Sequence, residues 1–304
     1  MELLTIFTPA YNRAYILPQL YRSLLRQTDN RFEWVIVDDG SKDDTETLVQ
    51  GWIQENRIKI GFQKQENQGK HIAVNAGAVL ANGNLFFIVD SDDFLTDDAV
   101  EKILSFWETS RPQDDISGII TYKKLLDGQM VGSKLPPEIQ RCKMWEAARK
   151  YGSTGDKAVV FRTEIFKQYA YPKFEDEKFL GESYVFNQID EKYDMLIMDA
   201  CLYLCDYRPD GLSQDFRRLY RNNPRGFLAI YEQSVEHSLN FKQRLKTMAH
   251  IFCLRLKLHC FWKGFKGKRF FLKCLATPFA FALYLKIFVL KKSDVKAVAE
   301  TQAK

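Results

Sequence analysis

Over residues 1–125, short apolar runs alternate with amphipathic stretches. Leu3-Leu4-Thr5-Ile6-Phe7 precedes a periodic stretch over about Ala14–Arg26, and Glu33–Val37 precedes Asp44–Gln54. Ile58–Phe62 precedes Gly69–Leu80, and Leu85–Val89 precedes Asp97–Trp107. Strand-length runs spaced by helix-length segments predict βαβ units and an α/β fold with a mostly parallel sheet and helices on both faces. The second and fourth runs end in acidic residues, Asp38-Asp39 and Asp90-Ser91-Asp92-Asp93. Open α/β sheets bind ligands outside the carboxyl ends of their strands, so both clusters are expected to face one crevice.

From 116 to 206 the pattern is less regular. Ile119–Leu126 and Gln129–Val131 flank Asp127-Gly128, a hairpin turn signal. Lys143–Tyr151 and Gly181–Tyr193 read as helices, and Met195–Met198 and Leu202–Cys205 as two short strands. No linker interrupts this region, which predicts one domain over residues 1–215. A basic, mostly helical region over 216–304 follows.

Composition narrows the class. The chain is 46% hydrophobic with 23 Phe, 14 Tyr and 5 Trp, which excludes a disordered protein. Six Cys without a C-x-x-C pair exclude a disulfide scaffold and common zinc ribbons, and four His argue against a histidine-rich metal site. The start, MELLTIFTPAYNR, shows no signal-peptide pattern, so reduced thiols and a cytoplasmic location are expected. The net charge of +5 is unevenly spread. From Phe241 onward 15 Lys and Arg face 2 Asp and Glu, while residues 1–240 hold 29 bases against 37 acids. An acidic body with a basic tail argues against nucleic acid as the partner.

Four segments carry candidate chemistry: Thr8-Pro9-Ala10-Tyr11-Asn12-Arg13, Val37-Asp38-Asp39-Gly40-Ser41, Asn67-Gln68-Gly69-Lys70 with Asn75-Ala76-Gly77, and Asp90-Ser91-Asp92-Asp93. In this order and spacing they resemble the family 2 glycosyltransferases of the GT-A fold, of the kind that build bacterial surface polysaccharides. The resemblance is strong over 1–125, loose over 126–215 and slight beyond. It implies a Rossmann-like nucleotide-sugar domain with a C-terminal extension. Thr8, Pro9, Ala10 and Tyr11 would line a uracil site, and Asp39 would accept its imide N–H. The plain alternative is a turn with helix capping by Ser41 or Asp43. Asp90-Ser91-Asp92 matches the family's D-x-D motif. Asp92 would be the direct ligand of Mn2+ or Mg2+, Asp90 would contact metal or ribose, and Asp93 would support them; the alternative is a solvated acidic loop. Gly69 allows close backbone approach, and Lys70 and Arg13 are candidates for phosphate contacts near a helix N-terminus, or else an ordinary turn and surface cations. Asn75 is expected to fix a loop, and His71 is given no role.

An inverting transferase also needs a carboxylate base. By resemblance it opens a helix after the D-x-D region. Glu182 occupies that place, with Asp176 and Glu175 as rivals and Ser183 where resembling enzymes commonly carry Asp. Glu177-Lys178 reads as a local pair or an acceptor contact. Tyr207–Ser213 resembles a loop closing over the donor, with Arg208, Arg217 and Arg218 as diphosphate contacts or exposed cations. In the tail, Leu272–Leu290 is a marginal span of 19 residues. Its basic flanks suit an interfacial helix on an anionic membrane surface, against the alternative of a stripe packed on the rest of the chain. Cys253, Cys260 and Cys274 read as buried apolar residues. The expected activity is inverting, metal-dependent transfer from a nucleotide-sugar, UDP-linked, to a glycan or lipid-linked glycan, at the inner face of the cell membrane. A nucleotidyltransferase and a catalytically impaired nucleotide-binding module are the rival readings.

Overall fold

The structure is a computed structural model that describes residues 3–205 and 216–290. Two strands, β1 (Leu4–Ala10) and β2 (Phe32–Asp38), are buried along their whole length. Near-continuous apolar runs of this kind belong to central parallel strands covered on both faces. Around them lie β3 (Ile60–Lys64), β4 (Leu85–Ile88), β5 (Phe94–Leu95), β6 (Ile116–Leu125), β7 (Arg141–Cys142), β8 (Lys157–Arg162) and β9 (Asp194–Cys205). These form one sheet in the order β3-β2-β1-β4-β8-β6-β9-β5, with β7 against β9. The β3-β2-β1-β4 portion is parallel, as is β6 with β9, while β8 runs antiparallel between β4 and β6.

Helices α1 (Leu17–Leu25), α2 (Thr45–Glu55), α3 (Lys70–Leu80) and α4 (Ala99–Ser110) connect the first strands. Alternate residues Leu4, Ile6, Trp34, Ile36 and Phe87 form a core with Leu20 of α1, Trp52 of α2 and Leu104 of α4. Tyr21, Trp34 and Trp52 stack within it, 4.2–6.1 Å between ring centroids. The other sheet face carries Phe7 and Phe86, stacked at 5.4 Å, with Phe166 of the one-turn α6 (Thr163–Phe166) against Phe86. Here α3 lies so close that a Cβ on Gly77 would meet the Phe7 ring at 2.0 Å.

Some expectations change. Met195–Met198 and Leu202–Cys205 are one strand, β9. The intervening Asp199 and Ala200 fall where the register against β6 shifts, and Asp199 turns outward to Lys134 at 2.6 Å. A bulge admits a polar residue without ending the pairing. The Asp127-Gly128 turn forms, but its second arm is a single bridge, Lys124 with Met130. The helix expected over Lys143–Tyr151 is the shorter α5 (Met144–Arg149), and that over Gly181–Tyr193 is α7 (Ser183–Ile189).

The described residues fall into two compact units. One runs to Lys173 and resumes at Val185. The other joins Phe174–Tyr184 to α8 (Phe216–Asn222), α9 (Pro224–Ser234), α10 (Phe241–Lys257), a 3-10 turn (Phe261–Phe265) and α11 (Phe270–Tyr284), which ends in a π turn (Leu285–Val289). Phe252 and Cys253 of α10 and Leu272, Ala276 and Ala280 of α11 form its core.

Candidate active site

The loops leaving β1 and β2 hold each other. Asn12 adopts a left-handed backbone (φ 53°). Its N–H donates to Ser41 Oγ at 2.8 Å, and its Oδ1 accepts the Lys42 N–H at 2.8 Å. The Arg13 N–H donates to Thr45 Oγ1 and the Ala14 N–H to Asp43 Oδ2, each at 3.0 Å. Of the residues expected to line a base, Pro9 and Ala10 are buried, and Thr8 Oγ1 accepts the Trp34 indole N–H at 3.0 Å. The Tyr11 ring is the exposed one of the set, at 44%.

Asp39 is buried, and its carboxylate organises the neighbouring loop. Oδ1 accepts from the Gln65 amide (2.8 Å) and the Gln68 N–H (2.9 Å), and Oδ2 accepts from the Gly69 N–H (2.8 Å). Gly69 has φ 97° and caps α3. The next residue, Lys70, reaches the other acidic cluster, with Nζ 2.6 Å from Asp90 Oδ1. Two consecutive residues at the start of α3 therefore touch both strand-tip carboxylates. Asp39 and Asp90 share one end of the sheet: β1 pairs with β2 up to Asp38, and Val89 donates to Phe7 on the opposite edge of β1.

The second cluster rests on residues that no sequence motif marks. The Asp90 N–H donates to the Tyr203 hydroxyl at 2.9 Å, and that hydroxyl donates to Asp93. Lys123 of β6 sits 4.1 Å over the Tyr203 ring. Burial and the charge of Asp90 push the Asp93 carboxyl up to about 7, against the opposing pull of Lys123 and Tyr203. Burial also works to raise Asp90, but Lys70, Lys123 and Arg13 outweigh it and hold that carboxyl below its ordinary range. Asp92 is half-buried and makes no hydrogen bond or ion pair with a described residue. No motif marks Tyr203, which lies in an apolar strand run; its one signal in the sequence is that a buried phenol needs a partner.

Asn75 fixes a loop, exchanging hydrogen bonds with the Tyr171 backbone at 2.8 and 2.9 Å. His71 is buried beside Tyr171, ring centroids 6.3 Å apart. Among the base candidates, Glu182 is half-buried just ahead of α7, and Glu175 and Asp176 are exposed. Glu177 is not a local partner of Lys178. It is buried and accepts the Arg225 and Gly226 N–H groups at 2.8 Å each, capping the start of α9, where unpaired donors favour a carboxylate. Arg217 does not serve as a free cation, because it donates to the carbonyls of Lys286 and Leu290. Tyr207–Ser213, with Arg208, lies outside the described residues.

The sheet order and its helices define the class: an α/β domain of GT-A type, with GT-A structures as neighbours. Residues 5–168, more than half of the chain, match Glycosyl transferase family 2, and the chain belongs to that family. It is 36% identical over 107 residues to an uncharacterized glycosyltransferase of Haemophilus influenzae, covering 35% of this chain and 42% of that protein. It is 39% identical over 104 residues to the chondroitin synthase of Escherichia coli, covering 34% and 15%. The matched stretch thus spans less than half the length of either relative. Among solved structures, S. aureus TarS 1–349 in complex with UDP-GlcNAc superposes with a TM-score of 0.62 at 15% identity, covering 94% of this chain and 90% of that one. The mannosyltransferase PcManGT from Pyrobaculum calidifontis, in complex with GDP-Man and Mn2+, gives 0.56 at 16%, covering 94% and 82%.

Proposed function

We propose that this chain is an inverting, metal-dependent glycosyltransferase that moves a sugar from a nucleotide-sugar, UDP-linked, to a glycan or lipid-linked glycan acceptor in surface polysaccharide synthesis. The observation that carries the reading is the start of α3, whose Gly69 bonds Asp39 while Lys70 pairs with Asp90. A nucleoside diphosphate is long enough to lie across both carboxylates. The nucleotide-sugar complexes of TarS and PcManGT support a donor of this class.

The donor set fits a hard divalent ion. Asp92 offers a carboxylate not engaged by a described residue, and Asp90 has a second oxygen beyond the one paired with Lys70. No group of three or more His, Cys, Asp or Glu among the described residues could enclose an ion alone. Mn2+ or Mg2+ would therefore be held by Asp92 and Asp90 together with donor oxygens, and would neutralise charge on the departing diphosphate. Lys70 and Arg13 add positive charge for the same group. The exposed Tyr11 ring would flank the base. Glu182 takes the proton from the acceptor hydroxyl as its oxygen bonds the anomeric carbon and the bond to the diphosphate breaks.

Calorimetry of UDP binding with and without Mn2+ tests the assignment. Asp92→Asn should remove the Mn2+-dependent part of UDP affinity, and unchanged affinity overturns the metal assignment. Glu182→Gln should retain UDP binding while transfer falls by roughly a hundredfold or more. Full activity in that variant moves the base elsewhere.

A further inference from the structure

Helix α11 is apolar on both of its faces. Its inner stripe, Leu272, Ala276 and Ala280, packs with Phe252 and Cys253 of α10. Lys273, the cation on that stripe, extends its Nζ to the Lys266 carbonyl. The outer stripe, Phe271, Leu275, Phe279, Leu285 and Val289, faces away from the core with each side chain about half exposed or more, Phe271 at 83%. Trp262, on the preceding 3-10 turn, is 79% exposed. Lys263, Lys266 and Lys268 lie exposed between them. A helix that is apolar all round needs a second apolar environment on its open side.

We propose that the 3-10 turn and α11 form a membrane-binding element that lies in the plane of an anionic leaflet. Phe271, Leu275 and Phe279 enter the acyl region, Trp262 sits at the headgroup level, and Lys263, Lys266 and Lys268 contact anionic headgroups. Charge complementarity selects a lipid surface: an exposed apolar stripe flanked by lysines matches the boundary between acyl chains and phosphate. By length and hydropathy, Phe270–Val289 could also cross a bilayer. Packing argues against it. The inner stripe is already covered by α10, which carries the exposed Lys242, Lys246 and Lys257. A spanning α11 would draw those charges toward hydrocarbon, at high cost. An in-plane helix leaves them in water. This proposal does not depend on the catalytic assignment.

Sedimentation of the full chain with vesicles provides the test. Phosphatidylcholine vesicles are compared with vesicles of equal parts phosphatidylcholine and phosphatidylglycerol. The chain should partition to the anionic vesicles by roughly a hundredfold over the neutral ones, the effect expected of three headgroup lysines. Phe271→Ser with Leu275→Ser and Phe279→Ser should abolish partitioning to both, with an unchanged circular dichroism spectrum, because these side chains face away from the core. Lys263→Glu with Lys266→Glu and Lys268→Glu should remove only the preference for anionic lipid. Alkaline carbonate should release the bound chain, and resistance to extraction overturns the in-plane placement. Wild-type chain that ignores both vesicles overturns the proposal. So does a wild-type dimer that binds no vesicle and becomes a monomer with the serine substitutions, because the stripe is then an interface between copies.

Discussion

Tyr203 ties the Asp90–Asp93 loop to the sheet with one oxygen, which accepts from Asp90 and donates to Asp93. Both bonds disappear in Tyr203→Phe, while the ring stays for Phe87 and Lys123 to pack on. A buried bond of this kind contributes about 1 kcal/mol, and a stranded donor adds to the loss. Mn2+-dependent UDP affinity should fall roughly tenfold and the melting temperature by about 2–8 °C, read by calorimetry and a thermal scan. At this scale the acidic residues were legible because their spacing matches a strand tip followed by a turn. Their supports were not. Tyr203 and Lys123 lie more than a hundred and some thirty residues away from Asp90 respectively, on strands that only the three-dimensional pairing brings alongside. The partners of Glu177 were hidden for the same reason, since the N–H groups of α9 that it accepts are 48 and 49 residues distant.

Helix α3 is the element on which the donor reading depends. Its start touches both carboxylate clusters, and its Gly77 lets it lie directly on Phe7 of β1. Gly77→Ala would place a methyl inside that ring's contact distance, so the helix must shift. The expected cost is about 1–3 kcal/mol in stability, read as a lower urea midpoint, together with weaker UDP binding as Gly69 and Lys70 move. The alternation of the first four strands and helices could be read directly, because each buried strand is a short apolar run bounded by turn residues. The antiparallel β8 could not, because Lys157–Arg162 is short and flanked by charge, and it takes its place only by pairing with strands on both sides. Asp199 similarly disguised β9 as two strands.

Across the whole molecule, each unit shields a neutral histidine, His71 buried in the first and His250 half-buried in the second. His71 in the first unit and His250 in the second are both held near about 4, by burial above all. Their unfolded values lie near 6.5, so each contributes stability that is complete above pH 6.5 and is lost as pH falls toward 4. For His71 the full effect is about 3 kcal/mol. Urea midpoints measured from pH 7 to pH 4 should therefore fall more steeply in the wild type than in His71→Gln or His250→Gln. Equal slopes would show that neither ring resists protonation. The charge asymmetry between body and tail was plain from composition. Which face of the tail stays open was not, because α11 is apolar on every side and only its packing on α10 distinguishes inner from outer.

The chain does not finish one unit before beginning the other. Phe174–Tyr184, with Glu177 and the candidate base Glu182, is synthesised in the middle of the polypeptide, yet its own unit is completed by helices that follow residue 215. A nascent chain halted after β9 would have the loops at the ends of β1, β2 and β4 and would lack the N–H groups that seat Glu177. The strand-end loops can thus assemble early in translation, while the segment carrying Glu177 and Glu182 is seated only after Arg225 and Gly226 of α9 have left the ribosome. With Glu182 proposed as the base, that order would hold back transfer until α9 is in place.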